Sequence, residues 1–340
     1  MAKILVTGDR GFVASYVVKQ LLDSGHEIIG IDNNSKYGPT EKNYDGHSKY
    51  TSIIDDARKI ELLKELVSDC DHMINFAARL GGIAYFHKFP YTILSENNAL
   101  YTTAFDAAVW AYHNKKLKKI TLISSSMIYE STNRWPSKEN DIYKIPVPLS
   151  CYGMQKLNTH FYAEGAFMQY QLPYTILTPF NCIGLGEISA IGEEEILSGN
   201  IVLGLGHVVP DLVKKILLGQ DPVHILGNGK QIRHYTPGEE LAKGIITSLE
   251  NPKALNEAFN ISTPIGHTVK ELTTIIWKKI KGNDKISFIY DKPYKDDVQK
   301  RIPDITKAKR YLDFEVKMTL NDSLDLIIPW VDNMLKLGKI

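Results

Sequence analysis

Cysteine is scarce in this 340-residue chain, and Cys70, Cys151 and Cys182 form an odd set without metal-ligand spacing. That leaves no disulfide framework to read and suits a reducing, cytoplasmic setting. Long apolar runs are missing too. No stretch reaches the ~18 residues of a membrane span, and the opening MAKILVTG is too short an apolar run for a signal peptide. An excess of one charge is also lacking: 40 Lys and Arg stand against 39 Asp and Glu, a net charge of +1. Nothing here carries the electrostatic footprint of a partner for nucleic acid or an anionic membrane, so any anionic ligand must be held by local groups. Repeats and low-complexity tracts are absent. What remains is ordinary globular composition, 44% hydrophobic and 23% charged, on a chain long enough for two intimately packed lobes.

The apolar pattern alternates between short and long periods. Lys3 to Thr7 reads as a strand, Phe12 to Leu22 as a helix and Glu27 to Ile31 as a second strand ending at Asp32. His72 to Phe76, Ile120 to Ser124 and Tyr174 to Leu177 repeat the strand pattern. Pro90 to Asn114 and Ser150 to Tyr170 read as long helices, with a further helix at Val209 to Leu218 and a strand at Val223 to Leu226. Strands alternating with helices predict an α/β fold with a doubly wound parallel sheet. We divide it into a dinucleotide-binding domain over 1–178 and a smaller, mixed substrate lobe over 179–340, some segments of which return to the first domain. Asn33 to Tyr50 reads as a polar surface loop. Glu187 to Gly206 reads as a flexible loop on the substrate side, its Glu193-Glu194-Glu195 run a solvated face.

Chemistry enters at the first strand-to-helix junction, TGDRGFVAS. Gly8 permits the tight turn, Gly11 lets the backbone approach a pyrophosphate, and Ala14 lets helix and strand pack closely. The free N–H groups and positive dipole end of the helix, at Phe12 and Val13, face the phosphates. Asp32 can accept hydrogen bonds from an adenosine ribose diol and repel a 2′-phosphate, which favours NAD, with Asn33 beside it; Arg10 in the same loop pulls toward NADP. A second constellation is Tyr152-Gly153-Met154-Gln155-Lys156, which opens a helix, with Ser124, Ser125 and Ser126 at a strand end. Residues four apart share a helix face, so the Lys156 ammonium can lower the pKa of the Tyr152 phenol. The phenolate can then take a proton from a substrate hydroxyl as hydride leaves.

Together these pieces resemble the extended short-chain dehydrogenase/reductases of the NAD-dependent epimerase/dehydratase group. The likeness runs through TGDRGFVAS, Asp32, Asp55, NFAAR, SSSMIY, YGMQK, PFNCIG, HVVPDL and RIPDITKAK. It implies a Rossmann fold, an NAD cofactor and a nucleotide-diphosphate sugar (UDP-, GDP- or dTDP-linked) as substrate. It implies Ser125, Tyr152 and Lys156 as catalytic residues. Asp55 would meet the adenine with Asp56 next to it, Ala77 and Ala78 would line the cofactor groove, and Asn98 is the helix asparagine near the active site. On the substrate side stand Ser126, Met127, Glu130, Asn181, His207 and Val208, with Arg233 and Arg301 gripping the diphosphate.

Departures from the family pattern narrow the reaction. A 4,6-dehydratase carries an Asp-Glu pair where this chain has Ser126 and Met127, and methionine transfers no proton. An epimerase-reductase resembling GDP-fucose synthase carries cysteine at Met127, although Leu80-Gly81-Gly82-Ile83 and His207 look like that subgroup. A 4-epimerase needs no further acid, and C4 inversion through a 4-keto sugar is the leading expectation. A dehydratase or reductase using Glu130, His207 or Cys151 is the alternative, and a non-catalytic dinucleotide-binding protein the third. Glu130 itself reads more readily as a solvent-facing charge. The apolar residues Phe105, Val109, Trp110, Phe161 and Phe167 on more than one face of the two long helices, together with family habit, point to a C2 homodimer.

Overall fold

The computed structural model describes the chain except residues 82, 189–195, 204–206, 284 and 294–296. Six strands in the first half alternate with helices: β1 Lys3–Thr7, β2 Glu27–Asp32, β3 Tyr50–Ile54, β4 His72–Asn75, β5 Lys119–Ile123 and β6 Tyr174–Pro179. A seventh, Glu257–Ile261, comes from far along the chain and pairs with β6. All run parallel in the order Glu257–Ile261, β6, β5, β4, β1, β2, β3. This is the doubly wound, Rossmann-like sheet that the alternating pattern predicted. β3 and the seventh strand escaped the pattern reading because they are edge strands; β3 is largely exposed and never shows a continuous apolar run.

Both faces of the sheet are covered, which is why the inner strands read as apolar runs. Side chains alternate between two cores. Ile4, Val6, Ile28 and Ile74 pack against Val17 and Leu21 of α1 (Phe12–Asp23) and Leu241 and Ile245 of the helix Gly238–Leu249. Leu5, Ile31, Met73 and Leu122 point the other way. They meet α2 (Ile60–Val67), α4 (Pro90–Asn114) and α5 (Cys151–Tyr170), while a short α3 (Ile83–Lys88) precedes α4. Phe105 is buried in that second core, with Val109, Trp110 and Phe167 packed against it. Four of the five residues expected to form free apolar surface are therefore used within the protomer.

A third core builds the second lobe from Val209, Leu212 and Ile216 of α6 (Val208–Leu217), Leu272 and Ile276 of the helix Val269–Lys281, and Leu324 and Ile327 of the helix Leu320–Lys336. Val223–Leu226 is a strand, as its residues suggested, and pairs in parallel with Phe288–Asp291. Where a flexible loop was expected, Ile196–Ser198 and Ile201–Leu203 form an antiparallel pair; the Glu193-Glu194-Glu195 run lies outside the described residues. Among the described residues no helix is long and apolar enough to cross a membrane.

A side chain on α1 ties the chain near Leu185 to the first domain. Tyr16 of α1 donates its hydroxyl to the Leu185 carbonyl at 2.9 Å and accepts from the Leu185 N–H. Tyr16→Phe strands both groups of Leu185, each a partly buried polar atom without its partner. We expect a loss of about 1–3 kcal/mol of unfolding free energy in a urea titration; an unchanged midpoint would show that water replaces the hydroxyl.

Candidate active site

The strand order reverses between β1 and β4, where neighbouring crossovers leave on opposite faces and open a crevice at the strand ends. Gly8 ends β1 there with φ +70°, and a Cβ on it would lie 2.8 Å from the Ala77 nitrogen after β4. Only glycine fits both the backbone and the gap. Gly11 then N-caps α1 in an extended conformation with no side chain on the helix N–H groups, leaving them for an anion. Phe12 and Val13 line the larger of two adjoining cavities; Gly8, Asp32, Asn33, Asp55, Asp56 and Ala77 line the smaller, with Ala78 beside them. Asp32 keeps one oxygen on the Asn34 N–H at 2.7 Å, and burial raises its pKa.

Arg10 does not line either cavity. Its guanidinium turns to Asp45, at 2.8 and 3.0 Å, and to the Thr40 carbonyl. The cation that pulled toward NADP is thus spent on the 33–50 loop. That loop is less of a surface feature than its polarity suggested, since Tyr44 is buried and donates to the Asp9 carbonyl at 2.9 Å. Lys36, which the sequence reading passed over, lines both cavities. Its signal was a lone cation a few residues beyond the strand-end Asp32. Asn98 is placed differently from expectation: it faces Asn158 of α5 at 3.4 Å. Its neighbour Asn97, fully buried, clamps the loop after β4 through the N–H and carbonyl of Arg79. The pair NN carries no local signal that tells the two apart; helix rotation decides.

The larger cavity, about 610 Å³, holds the Ser–Tyr–Lys set. Ser125 ends β5 and caps a single 3-10 turn, Ser126–Tyr129, by accepting from the Met127 N–H at 3.3 Å. Ser124 is buried behind it on the Lys156 carbonyl. Tyr152 and Lys156 face the cavity from the first turns of α5, whose N-cap is Ser150. Lys156 donates to the Ile123 carbonyl at 3.0 Å and to the Tyr101 hydroxyl at 3.2 Å, and its Nζ lies 5.9 Å from the Tyr152 ring centre. Burial alone would lower its pKa, yet attraction to Tyr101 and Tyr152 raises it overall, so the ammonium persists in a dry site. Tyr101 was invisible to the motif reading, because nothing in α4's sequence marks which of its faces meets β5. Phe86 of α3, equally unforeseen, stacks on the Tyr152 ring at 4.5 Å.

Toward the second lobe the wall is formed by Ser126, Met127, Glu130, Asn181, His207, Val208 and Arg301. Met127 packs with Tyr152 and Phe86 as an apolar surface. Arg301 fronts the cavity, its pKa pushed down to about 9 by burial and then by Arg233. Arg233, expected to grip the ligand beside it, is not in the cavity wall. It stands behind, donating to the Ile232 carbonyl at 3.0 Å with Asp297 at 3.6 Å. His207, half-buried at the start of α6, pairs with Glu187. Glu130, read as a solvent charge, is half-buried with both carboxylate oxygens on Ser150.

A phosphate cradle opening onto a Ser–Tyr–Lys set defines a dinucleotide-dependent enzyme. Residues 4–262 match the NAD dependent epimerase/dehydratase family, and the chain belongs to it: NAD is its cofactor. A putative UDP-glucose 4-epimerase of Methanocaldococcus jannaschii is 27% identical over 332 residues, 97% of this chain and 98% of that one. UDP-glucuronic acid decarboxylase 4 of Arabidopsis thaliana is 25% identical over 333 residues, 96% of this chain and 68% of that one. Among solved structures, UDP-glucose 4-epimerase of Thermotoga maritima, with UDP-glucose, superposes with a TM-score of 0.81 at 28% identity, covering 98% and 99% of the two chains.

The cradle also carries a pH signature. Asp9 is fully buried under the Tyr50 hydroxyl, and burial, reinforced by Asp32, lifts its pKa to about 7. Because the native value lies above the unfolded one of about 3.9, Asp9 contributes stability that is complete below about pH 4 and lost as pH rises through about 7. Asp9→Asn keeps an oxygen for Tyr50 and removes that dependence. Thermal unfolding should find the variant more stable than the parent by about 1–3 kcal/mol near pH 8, with the advantage gone near pH 4. Parallel pH profiles would refute it.

Proposed function

We propose that this protein is a C4 epimerase of a nucleotide-diphosphate sugar, UDP-linked in the first instance. The observation that carries the reading is the wall at Met127. The side chain beside Tyr152, where a dehydratase needs a proton donor, is a thioether packed on aromatic rings. Tyr152 lines the same cavity, with the Lys156 Nζ 5.9 Å from its ring centre.

In this reading the Ser125 hydroxyl holds the C4 oxygen and the Tyr152 phenolate takes its proton. NAD, held on the Gly8–Val13 junction, would supply the hydride acceptor and donor that C4 inversion through a 4-keto sugar requires. Lys156 keeps the phenolate stable through both half-reactions, and Tyr152 gives the proton back to the new C4 alkoxide. Arg301, with Asn181 near the β6 end, supplies charge and donors for the anionic part of the substrate. The UDP-sugar names of the relatives at 25–28% identity favour uridine as the base.

A second reading draws on Arg301. A cation beside Tyr152 also suits a sugar carboxylate, and oxidation at C4 would labilise that carboxylate to leave as carbon dioxide. A proton NMR time course in D2O with UDP-glucose, UDP-glucuronic acid, GDP-mannose and dTDP-glucose separates the cases. Inversion at C4 with no deuterium in the ring is expected. Loss of C6 moves the assignment to decarboxylation, and deuterium at C3 or C5 sinks the epimerase reading. Tyr152→Phe should lower kcat at least about 100-fold while NAD binding persists.

We further propose a C2 homodimer through α4 and α5, where Phe161 and Met168 remain 55% and 78% exposed. Light scattering at micromolar concentration should give twice the chain mass, and Phe161→Glu with Met168→Glu should give the monomer. A monomeric parent would refute the pairing.

A further inference from the structure

Glu130 follows the 3-10 turn that carries Ser125, Ser126 and Met127, and it is held to that turn by its own N–H on the Met127 carbonyl at 3.1 Å. Its carboxylate crosses to the start of α5, where one oxygen accepts from the Ser150 N–H and the other from the Ser150 hydroxyl at 2.8 Å. The same Ser150 Oγ accepts from the Gly153 N–H at 2.9 Å, capping the helix one residue past Tyr152. A carboxylate with two donors at a helix N-terminus makes strong, charge-assisted bonds and also meets the positive dipole end.

Turn and helix are in direct backbone contact. A Cβ on Gly153 would come within 2.7 Å of the Pro148 Cβ, 2.9 Å of the Met127 carbonyl oxygen and 3.1 Å of a Glu130 carboxylate oxygen. At Gly153 no side chain spaces the two segments, and there the Glu130–Ser150 clamp bonds them, while Ser124 on the Lys156 carbonyl and Met127 against Tyr152 join them further along. Across the cavity stands Arg301, on which Glu130 exerts an attraction that opposes the repulsion of Arg233.

We propose that Glu130 is a positioning residue: through Ser150 it fixes Tyr152 against Ser125, and through its charge it offsets part of the field that Arg301 presents to the substrate. Its oxygens are both engaged by Ser150, so it neither donates nor takes a proton in the reaction. The inference rests on Tyr152 as the acid/base. It does not depend on which sugar is turned over. A displacement of about 1 Å between reacting groups can cost on the order of 100-fold in rate, so a loosened clamp acts on kcat.

The test compares the full-length, NAD-loaded parent with Glu130→Gln, which offers one acceptor where two are used. Hydrogen exchange read by mass spectrometry should show amides at the start of α5 exchanging at least about threefold faster in the variant, with the β1–α1 region unchanged and NAD retained. On any of the four nucleotide sugars named above that the parent turns over, kcat should fall about tenfold, while KM stays level or falls because Arg301 faces less negative charge. Adding Ser150→Ala to Glu130→Gln should cost little more than either change alone. Unchanged exchange overturns the proposal, and so does unchanged kcat. Unchanged exchange with abolished turnover would make Glu130 a reacting group instead. If the parent acts on none of the sugars, the epimerase reading falls and the exchange measurement alone decides the role of Glu130.

Discussion

A parallel sheet must send each crossover over one of its two faces, and where the direction reverses no crossover covers the strand ends. In this protein that point lies between β1 and β4, and the rest of the molecule is arranged around it. Gly8 and Ala77 touch across the gap, the uncapped start of α1 looks into it, and the Ser125 turn after β5 closes one side. The second lobe, joined through Tyr16 and Leu185, supplies the remaining wall. A different handedness of any one crossover would leave the same residues on the surface with no cavity between them.

Charge is placed in this crevice with little water to screen it, so each ionised group needs its own compensation. Lys156 has two phenols and a carbonyl, Arg301 has Glu130 against Arg233, and Arg10 has Asp45. Asp9 is buried with the Tyr50 hydroxyl on its carboxylate and Asp32 nearby, and burial outweighs that bond, so its pKa rises. Lys156 and Arg301 thus face the cavity with their charges offset, while Arg10 is spent on Asp45 in the 33–50 loop. Met127, Phe86 and Val208 make the cavity wall around them apolar.

Much of this could be read from the residues. The glycine junction, Asp32 and the four-residue spacing of Tyr152 and Lys156 are local patterns whose geometry follows from one turn or one strand end. Bounds for β1 and α4 match to the residue because an apolar run and a proline-started helix are strong local signals. Local patterns say nothing of the partner across a gap. Arg233 and Arg301 look alike in sequence, yet one fronts the cavity and the other backs it. Asn97 and Asn98 differ only by a 100° turn about the helix axis, about the step between successive residues. Glu130 looked like a loop charge because its partner, Ser150, is twenty positions away.

The sequence by itself determined the fold class, the glycine junction after β1 and the shared face of Tyr152 and Lys156, since each depends on spacings within a single element and its neighbour. Tertiary structure alone decided which arginine fronts the cavity, which asparagine clamps the loop after β4, how Tyr101 and Phe86 sit against Lys156 and Tyr152, and that Glu130 meets Ser150. The physical reason is the same in each case. Contacts between elements depend on packing angles and helix rotation, which are set by the whole core, while the chain's local code specifies only the elements that pack.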